Sequence, residues 1–450
     1  NEGVTSITFQ AFANCTNLTS VDIGNGVNWI DYQAFYNTGI DSVYIPKNVW
    51  HIMNCAFGSC NNLVSIVVDE DNNNYDSRNG CNAIIWKHYN RLLAGCRSTI
   101  IPDGIVSIGV DAFHGHDNLL SINIPESVQR IEHRAFWDCD KLKSITIPKS
   151  VEFIEGQQVF GYCRNLATIS VDAANPYFDS RNSCNAIIET STNTIIRGTA
   201  QTVIPEDVKV IGDFAFSGCL PMKSFNIPEG VTSIGSYAFC QCNNLASISL
   251  PKSVESIGEY AFYNCYNLTS VELPQSVAEI KDYTFAYCSK LASVSFPDEL
   301  KAIGVAAFAE CSSIKTVAMP NSVERVGMSA FMYCRNLESV LISENIDSIN
   351  HSTFIVCDNL KNVVIPNNVT YIGQAAFGLC LSMETLVIGK SVETIGGNAF
   401  NQCLALSRID SYATTPPLVG NRAFYKVNAT ACRLNVPIGS KAAYQAADVW

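Results

Sequence analysis

A phenylalanine, usually preceded by alanine, recurs along this chain with a spacing that leaves it few ways to fold. It stands at Phe12, Phe35, Phe57, Phe113, Phe136, Phe160, Phe216, Phe239, Phe262, Phe285, Phe308, Phe331, Phe354, Phe377, Phe400 and Phe424. From Phe216 to Phe400 eight successive intervals are each 23 residues long. A fixed period of that size marks a stacked-repeat architecture, in which a unit buries its apolar face only against its neighbours. By length alone, 450 residues would make roughly two to four domains. Periodicity turns them instead into one succession of coils.

The repeat around Phe262 shows what each coil must do. Leu268, Val271 and Leu273 are apolar, Ser270 and Glu272 alternate with them, and Pro274 follows. That is a short strand of period two with one face inward, closed by a residue that cannot donate to a ladder. Val277 and Ile280 form a second short extended piece. The stretch Glu259 to Cys265 is expected to make one or two turns of helix. Stacking such coils aligns their strands in a parallel sheet over a continuous core.

Two intervals, Phe57 to Phe113 and Phe160 to Phe216, are 56 residues long, one repeat plus 33. The extra segments are related: Asp76-Ser77-Arg78-Asn79 recurs as Asp179 to Asn182, and Cys81 to Ile85 recurs as Cys184 to Ile188. Each holds two apolar runs about a polar turn, Lys87 to Asn90 or Thr190 to Asn193, and reads as a β-hairpin. The expected organisation is a solenoid over residues 1–410, with hairpin insertions at about 69–101 and 172–204, and a C-terminal cap over 411–450. In the cap, Thr415-Pro416-Pro417 interrupts the repeat, Arg433 to Val436 reads as a strand, and Ser440 precedes a helix through Ala447. Because Val4 to Ile7 is already repeat, residues are expected upstream of Asn1.

The pattern A-F-x-x-C-x-x-L-x-x-[IV]-x-[IL]-P-x-x-V-x-x-I-G resembles the BspA-like subclass of leucine-rich repeats, and it covers essentially the whole chain. The ending, from Tyr412-Ala413-Thr414-Thr415-Pro416-Pro417 to Ala443-Tyr444, also resembles the terminal module of such proteins in gut and oral Bacteroidetes. The resemblance implies a leucine-rich repeat solenoid, β-dominated and right-handed, with a parallel β-sheet and little regular helix. It also implies a bacterial protein that is exported, extracellular or on the cell surface, adhesin-like, binding a host or partner macromolecule. Inheritance of function at the level of fold is weak, so the partner must be sought in the residues.

Composition narrows the partner class. With 29 Lys+Arg against 41 Asp+Glu the net charge is −12, and no basic run is present. Neither a phosphate-tracking nucleic-acid binder nor a polybasic membrane contact is expected. No apolar run approaches the ~18–20 residues of a transmembrane helix. Short catalytic motifs are missing: there is no Gly-x-Ser-x-Gly, His-Glu-x-x-His or phosphate-binding glycine loop. The expectation is a non-enzyme without cofactor or metal.

Nineteen cysteines look at first like chemistry. Thirteen, among them Cys15, Cys60, Cys265 and Cys403, occupy one repeat position three residues after the phenylalanine. They read as a column of small buried thiols, too far apart at the strand spacing for bonding along the stack. Cys81 and Cys96 differ, each lying six positions outside the Lys87–Asn90 turn. A regular hairpin sets them opposite each other as a possible disulfide, although the twin hairpin carries Cys184 and Thr199 there. His114, His116, His133 and Cys139 have ligand types but no metal-site spacing.

Binding then falls to the outward strand residues. The row containing Glu272 is polar or mixed from Asp22 to Ser295, turns apolar at Ala318, Leu341, Val364 and Val387, and ends at Asp410. Those four residues are the candidate protein-binding strip on the concave sheet. A second column, Phe214, Tyr237, Tyr260 and Tyr283, is the candidate for the alternative partner, a glycan stacked on aromatic rings.

Overall fold

Proline or a turn stops the strands after two to five residues, and the chain then bends to lay the next strand beside the previous coil. The computed structural model describes residues 3–450. They divide into two compact units, Asn1–Met222 and Lys223–Trp450, and both are built from the same coil. In the second unit, Ser270–Glu272 pairs in parallel with Ser293–Ser295, Ser270 beside Ser293 and Val271 beside Val294. The shorter strand Glu279–Ile280 pairs likewise with Ala302–Ile303. Two parallel ladders thus run along the coils. Between them lies the core, where inward residues such as Leu268, Val271 and Ile280 are buried.

The landmark phenylalanines form its spine. Phe308, Phe331, Phe354 and Phe377 stack with centroids 5.2–5.4 Å apart and planes within 11°. Spacing slightly larger than a strand separation makes these offset stacks, the arrangement ring quadrupoles favour.

The segment Glu259 to Cys265 is not helical, and its hydrogen bonds explain why. Tyr263 N and Cys265 N donate within the coil, to Tyr260 O and Phe262 O. Tyr260, Phe262 and Asn264 donate instead to the next coil, at Asp282 O, Thr284 O and Ala286 O. Alternate amides point along the stack, which requires left-handed backbone at Tyr260 (φ 56°) and Asn264 (φ 58°). A residue in that region ends an α-helix. Stacking, not local propensity, sets the turn.

Both insertions are antiparallel hairpins. In the first, Ile84–Trp86 pairs with Arg91–Ala94, and Arg91–Ala94 then joins Ser107–Ile108 in parallel. The second repeats this with Ala186–Glu189, Thr194–Gly198 and Val210–Ile211. At each hairpin a glycine lies against the face of the next phenylalanine. A Cβ added at Gly95 would lie 2.2 Å from Phe113 Cε1, and one at Gly198 2.2 Å from Phe216 Cε1. Gly95→Ala is therefore expected to lower stability by about 1–3 kcal/mol through overpacking, measured as a fall in the urea midpoint.

The segment 411–450 closes the second unit. Leu418–Val419 extends the short-strand ladder beside Thr394–Ile395, and Arg433–Asn435 extends the other beside Arg408–Ser411. A helix, Lys441–Ala446, follows Ser440, and Tyr444 Oη donates to Ala413 O at 2.9 Å.

Candidate functional site

Period-two alternation sends the Glu272 row to solvent throughout the second unit. Leu341 is 65% exposed and Val364 57%; Ala318 is exposed and Val387 half-buried. Ala318 pairs with Leu341 and Val364 with Val387, while Ser339 against Asn362 joins the two middle strands. The four apolar residues are thus consecutive across one sheet. The terminal strand lies at its edge, where Asn435 Nδ2 donates to Asp410 Oδ1 at 2.6 Å. It extends the row and leaves the strip uncovered.

A rail of charge runs beside the strip. Lys315, Glu338, Lys361 and Glu384 are all exposed. Each lies one coil beyond the last, Glu338 N donating to Lys315 O, Lys361 N to Glu338 O and Glu384 N to Lys361 O. An apolar centre with a charged margin is the common anatomy of a protein interface.

Two members of the row escape a count of 23. Ile100 and Val203 are each 75% exposed and hold the equivalent repeat position in the hairpin-bearing coils, where no strand forms. The 33-residue insertions displace them, but each stands two residues before a proline, Pro102 or Pro205, as Glu272 does before Pro274.

Within the aromatic column the tyrosines cover each other's inner faces. Tyr260 is sandwiched by Tyr237 and Tyr283, with centroids 4.6 Å away on each side and planes within 6°. No sugar ring fits between them. Phe214, in the first unit, is only 7% exposed and packs edge-on with Trp137 and Tyr162. These tyrosines hold left-handed backbone (φ 55–57°), a strain that mutual stacking offsets.

The cysteine column has a bonding role beyond filling space. Cys265 Sγ donates to Phe239 O at 3.1 Å, and the contact recurs from Cys288 to Phe262 O and onward to Cys403 with Phe377 O. A thiol is small enough for the core and still offers one weak donor across the coil boundary. Burial pushes the thiols of Cys288 and Cys403 up to about 12.

Cys81 and Cys96 are free and do not face each other. A bulge between Ile84 and Ile85 sets Ile84 opposite Ala94 but Ile85 opposite Leu92, so one extra residue enters the second strand. The shift turns Cys96 toward Asn82, whose carbonyl accepts from its Sγ at 3.4 Å. The two thiols enter different core clusters. Alkylation of the native protein is expected to modify two thiols, exposed Cys15 and half-buried Cys432, and in denaturant all 19. Intact mass reads both numbers, and 17 adducts in denaturant would mean a Cys81–Cys96 bond after all.

His116 replaces the column cysteine in its coil and is 2% exposed. Burial and the neighbouring His114 hold its pKa down at about 4, so it sits in the core uncharged. Among the described residues no helix is long and apolar enough to cross a membrane.

Stacked parallel strands, a phenylalanine spine and a bare strand face define a leucine-rich repeat solenoid, a class that works by surface recognition. The family follows from the repeat itself. The chain belongs to the BspA-type leucine-rich repeat family, whose model matches residues 1–82, 93–196, 197–304, 278–407 and 324–440. Among solved structures, a leucine-rich repeat protein from Bacteroides ovatus ATCC 8483 is similar at 28% identity and a TM-score of 0.51, covering 81% of this chain and 97% of that one. Another, from Eubacterium ventriosum ATCC 27560, shares the fold at 19% identity and a TM-score of 0.51, covering 76% and 82%. No curated protein matches the chain.

Proposed function

We propose that this chain is the recognition part of an exported surface protein, and that it binds another protein through the strand face around Ala318, Leu341, Val364 and Val387. One observation carries the reading: Leu341 and Val364, on paired strands, are 65% and 57% exposed in a row that is otherwise mostly polar. Contiguous apolar side chains held in water on a rigid sheet gain free energy when a partner covers them. Lys315, Glu338, Lys361 and Glu384 ask of that partner an apolar segment flanked by charges of complementary order. Export and an adhesin-like role, toward a host or bacterial surface protein, are supported by the family. The role is non-catalytic.

Both faces of Tyr260 are covered, so a glycan in the alternative reading would meet ring edges and the outer faces of Tyr237 and Tyr283, which favours the protein partner. A photo-crosslinking side chain at position 364, compared with one at position 249 in the polar part of the same row, tests the site. The reading expects protein adducts from 364 alone. Equal yield at both positions, or adducts from neither, removes the strip from the function.

A further inference from the structure

The position two residues before each landmark phenylalanine holds the stacked tyrosines of the second unit. In the first unit its occupants include Cys55, Asp111 and Arg134, all in left-handed backbone (φ 55–58°). Cys55 and Asp111 approach where the first hairpin is inserted, and His114 joins them from the same turn as Asp111. Exposures of 4%, 6% and 6% place all three side chains in the interior. Cys55 Sγ, a carboxylate oxygen of Asp111 and a ring nitrogen of His114 lie within 4.8 Å of one another. Gly58 makes room for the thiol, since a Cβ there would lie 2.5 Å from Sγ.

The polar contacts within this cluster are poorly matched. His114 Nδ1 is 3.0 Å from Asp111 Oδ1, an acceptor, and 3.0 Å from Arg134 Nη2, a donor. One ring nitrogen carries either a hydrogen or a lone pair, so it serves only one of the two. Arg134 Nε is buried 3.2 Å from Asp111 Oδ1 yet makes no hydrogen bond. The twin hairpin, 103 residues on, replaces the three ligand types with Gln158, Phe214 and Ser217. There a buried guanidinium, Arg197, donates to Ser217 O at 3.1 Å; its counterpart in the first hairpin is Ala94.

We propose that Cys55, Asp111 and His114 are the ligands of a zinc ion that clamps the coils on either side of the first hairpin. Thiolate, imidazole and carboxylate together suit a metal of borderline softness, and three protein ligands leave a fourth position for water. Zinc bonds of ~2.0–2.3 Å set the ligand atoms roughly 3.5 Å from one another. The His114 Nδ1 and Asp111 Oδ1 atoms, 3.0 Å apart, would open slightly, while the Cys55 thiol closes from a separation within 4.8 Å. On binding, the Cys55 thiol gives its proton to solvent and the metal takes the His114 lone pair. Arg134, whose side chain is 27% exposed, swings outward from the site.

The test is cobalt titration of the reduced, chelator-treated full chain. The expected result is a thiolate-to-cobalt charge-transfer band with tetrahedral ligand-field bands, saturating at one equivalent and bleached by zinc. Cys55→Ser removes the charge-transfer band, while Cys432→Ser keeps it. Asp111→Asn and His114→Ala each weaken cobalt binding at least about tenfold. Arg134→Met tightens it at least about tenfold, because a cation no longer competes for the site. No thiolate band in the unmodified chain overturns the proposal, whether or not the variants fold. So does a band that survives Cys55→Ser, or an Arg134→Met protein that is merely less stable with cobalt affinity unchanged.

Discussion

Leu341→Asp combined with Val364→Asp is expected to abolish partner capture and leave the fold standing. Both side chains project into solvent from strands whose buried neighbours, Ile342 and Val363, are untouched. Stability should therefore move by no more than about 1 kcal/mol, the span of strand propensity. Binding loses two apolar anchors and gains two carboxylates that must be desolvated against the partner. With roughly 2 kcal/mol for each central anchor, the affinity falls at least about a hundredfold. Surface plasmon resonance against the crosslinked partner reads the loss, and circular dichroism melting reads the fold. Ser249→Asp, in the polar part of the same row, should bind as the parent does. Unchanged capture by the double variant removes this strip from the function.

The second large effect lies in the spine. Phe331 is fully buried, its ring stacked between Phe308 and Phe354 at 5.4 Å on each side. Phe331→Ala should cost about 3–5 kcal/mol from lost transfer energy and the cavity left behind. The cut falls between coils, and repeat proteins hold together through nearest-neighbour terms. Urea unfolding followed by circular dichroism is accordingly expected to shift to lower midpoint and to separate into two steps. A single transition with an unchanged midpoint would mean that the neighbouring coils carry the core without the ring.

The repeat is legible in the sequence because its cause is local to each coil: Val271 and Leu273 alternate, Pro274 stops the strand, and Phe262 returns every 23 residues. The features that stay hidden depend on what neighbouring coils do to one another. Glu259 to Cys265 has a composition that allows helix, yet its amides are drawn to Asp282, Thr284 and Ala286, partners a full coil away. The symmetric spacing of Cys81 and Cys96 holds only for a hairpin without a bulge, and no residue between Ile84 and Leu93 announces one. Tyr237, Tyr260 and Tyr283 are visible as a column, but their spacing does not say that they cover each other's faces. The apolar strip is legible because alternation fixes which side of a strand faces water. Cys55, Asp111 and His114 lie up to 59 residues apart, and the 33-residue insertion between them hides that their two coils are neighbours.

The turn amides that reach from coil to coil have a mechanical consequence. Bonds such as Phe331 N to Thr353 O and Phe354 N to Ala376 O run along the direction of stacking. A pull in that direction loads successive boundaries in series, so each coil bears the whole tension and the weakest boundary yields first. Length is then released one 23-residue coil at a time, and the loss of one boundary leaves its neighbours able to carry the load. A tether of this kind dissipates force in small increments instead of breaking at once.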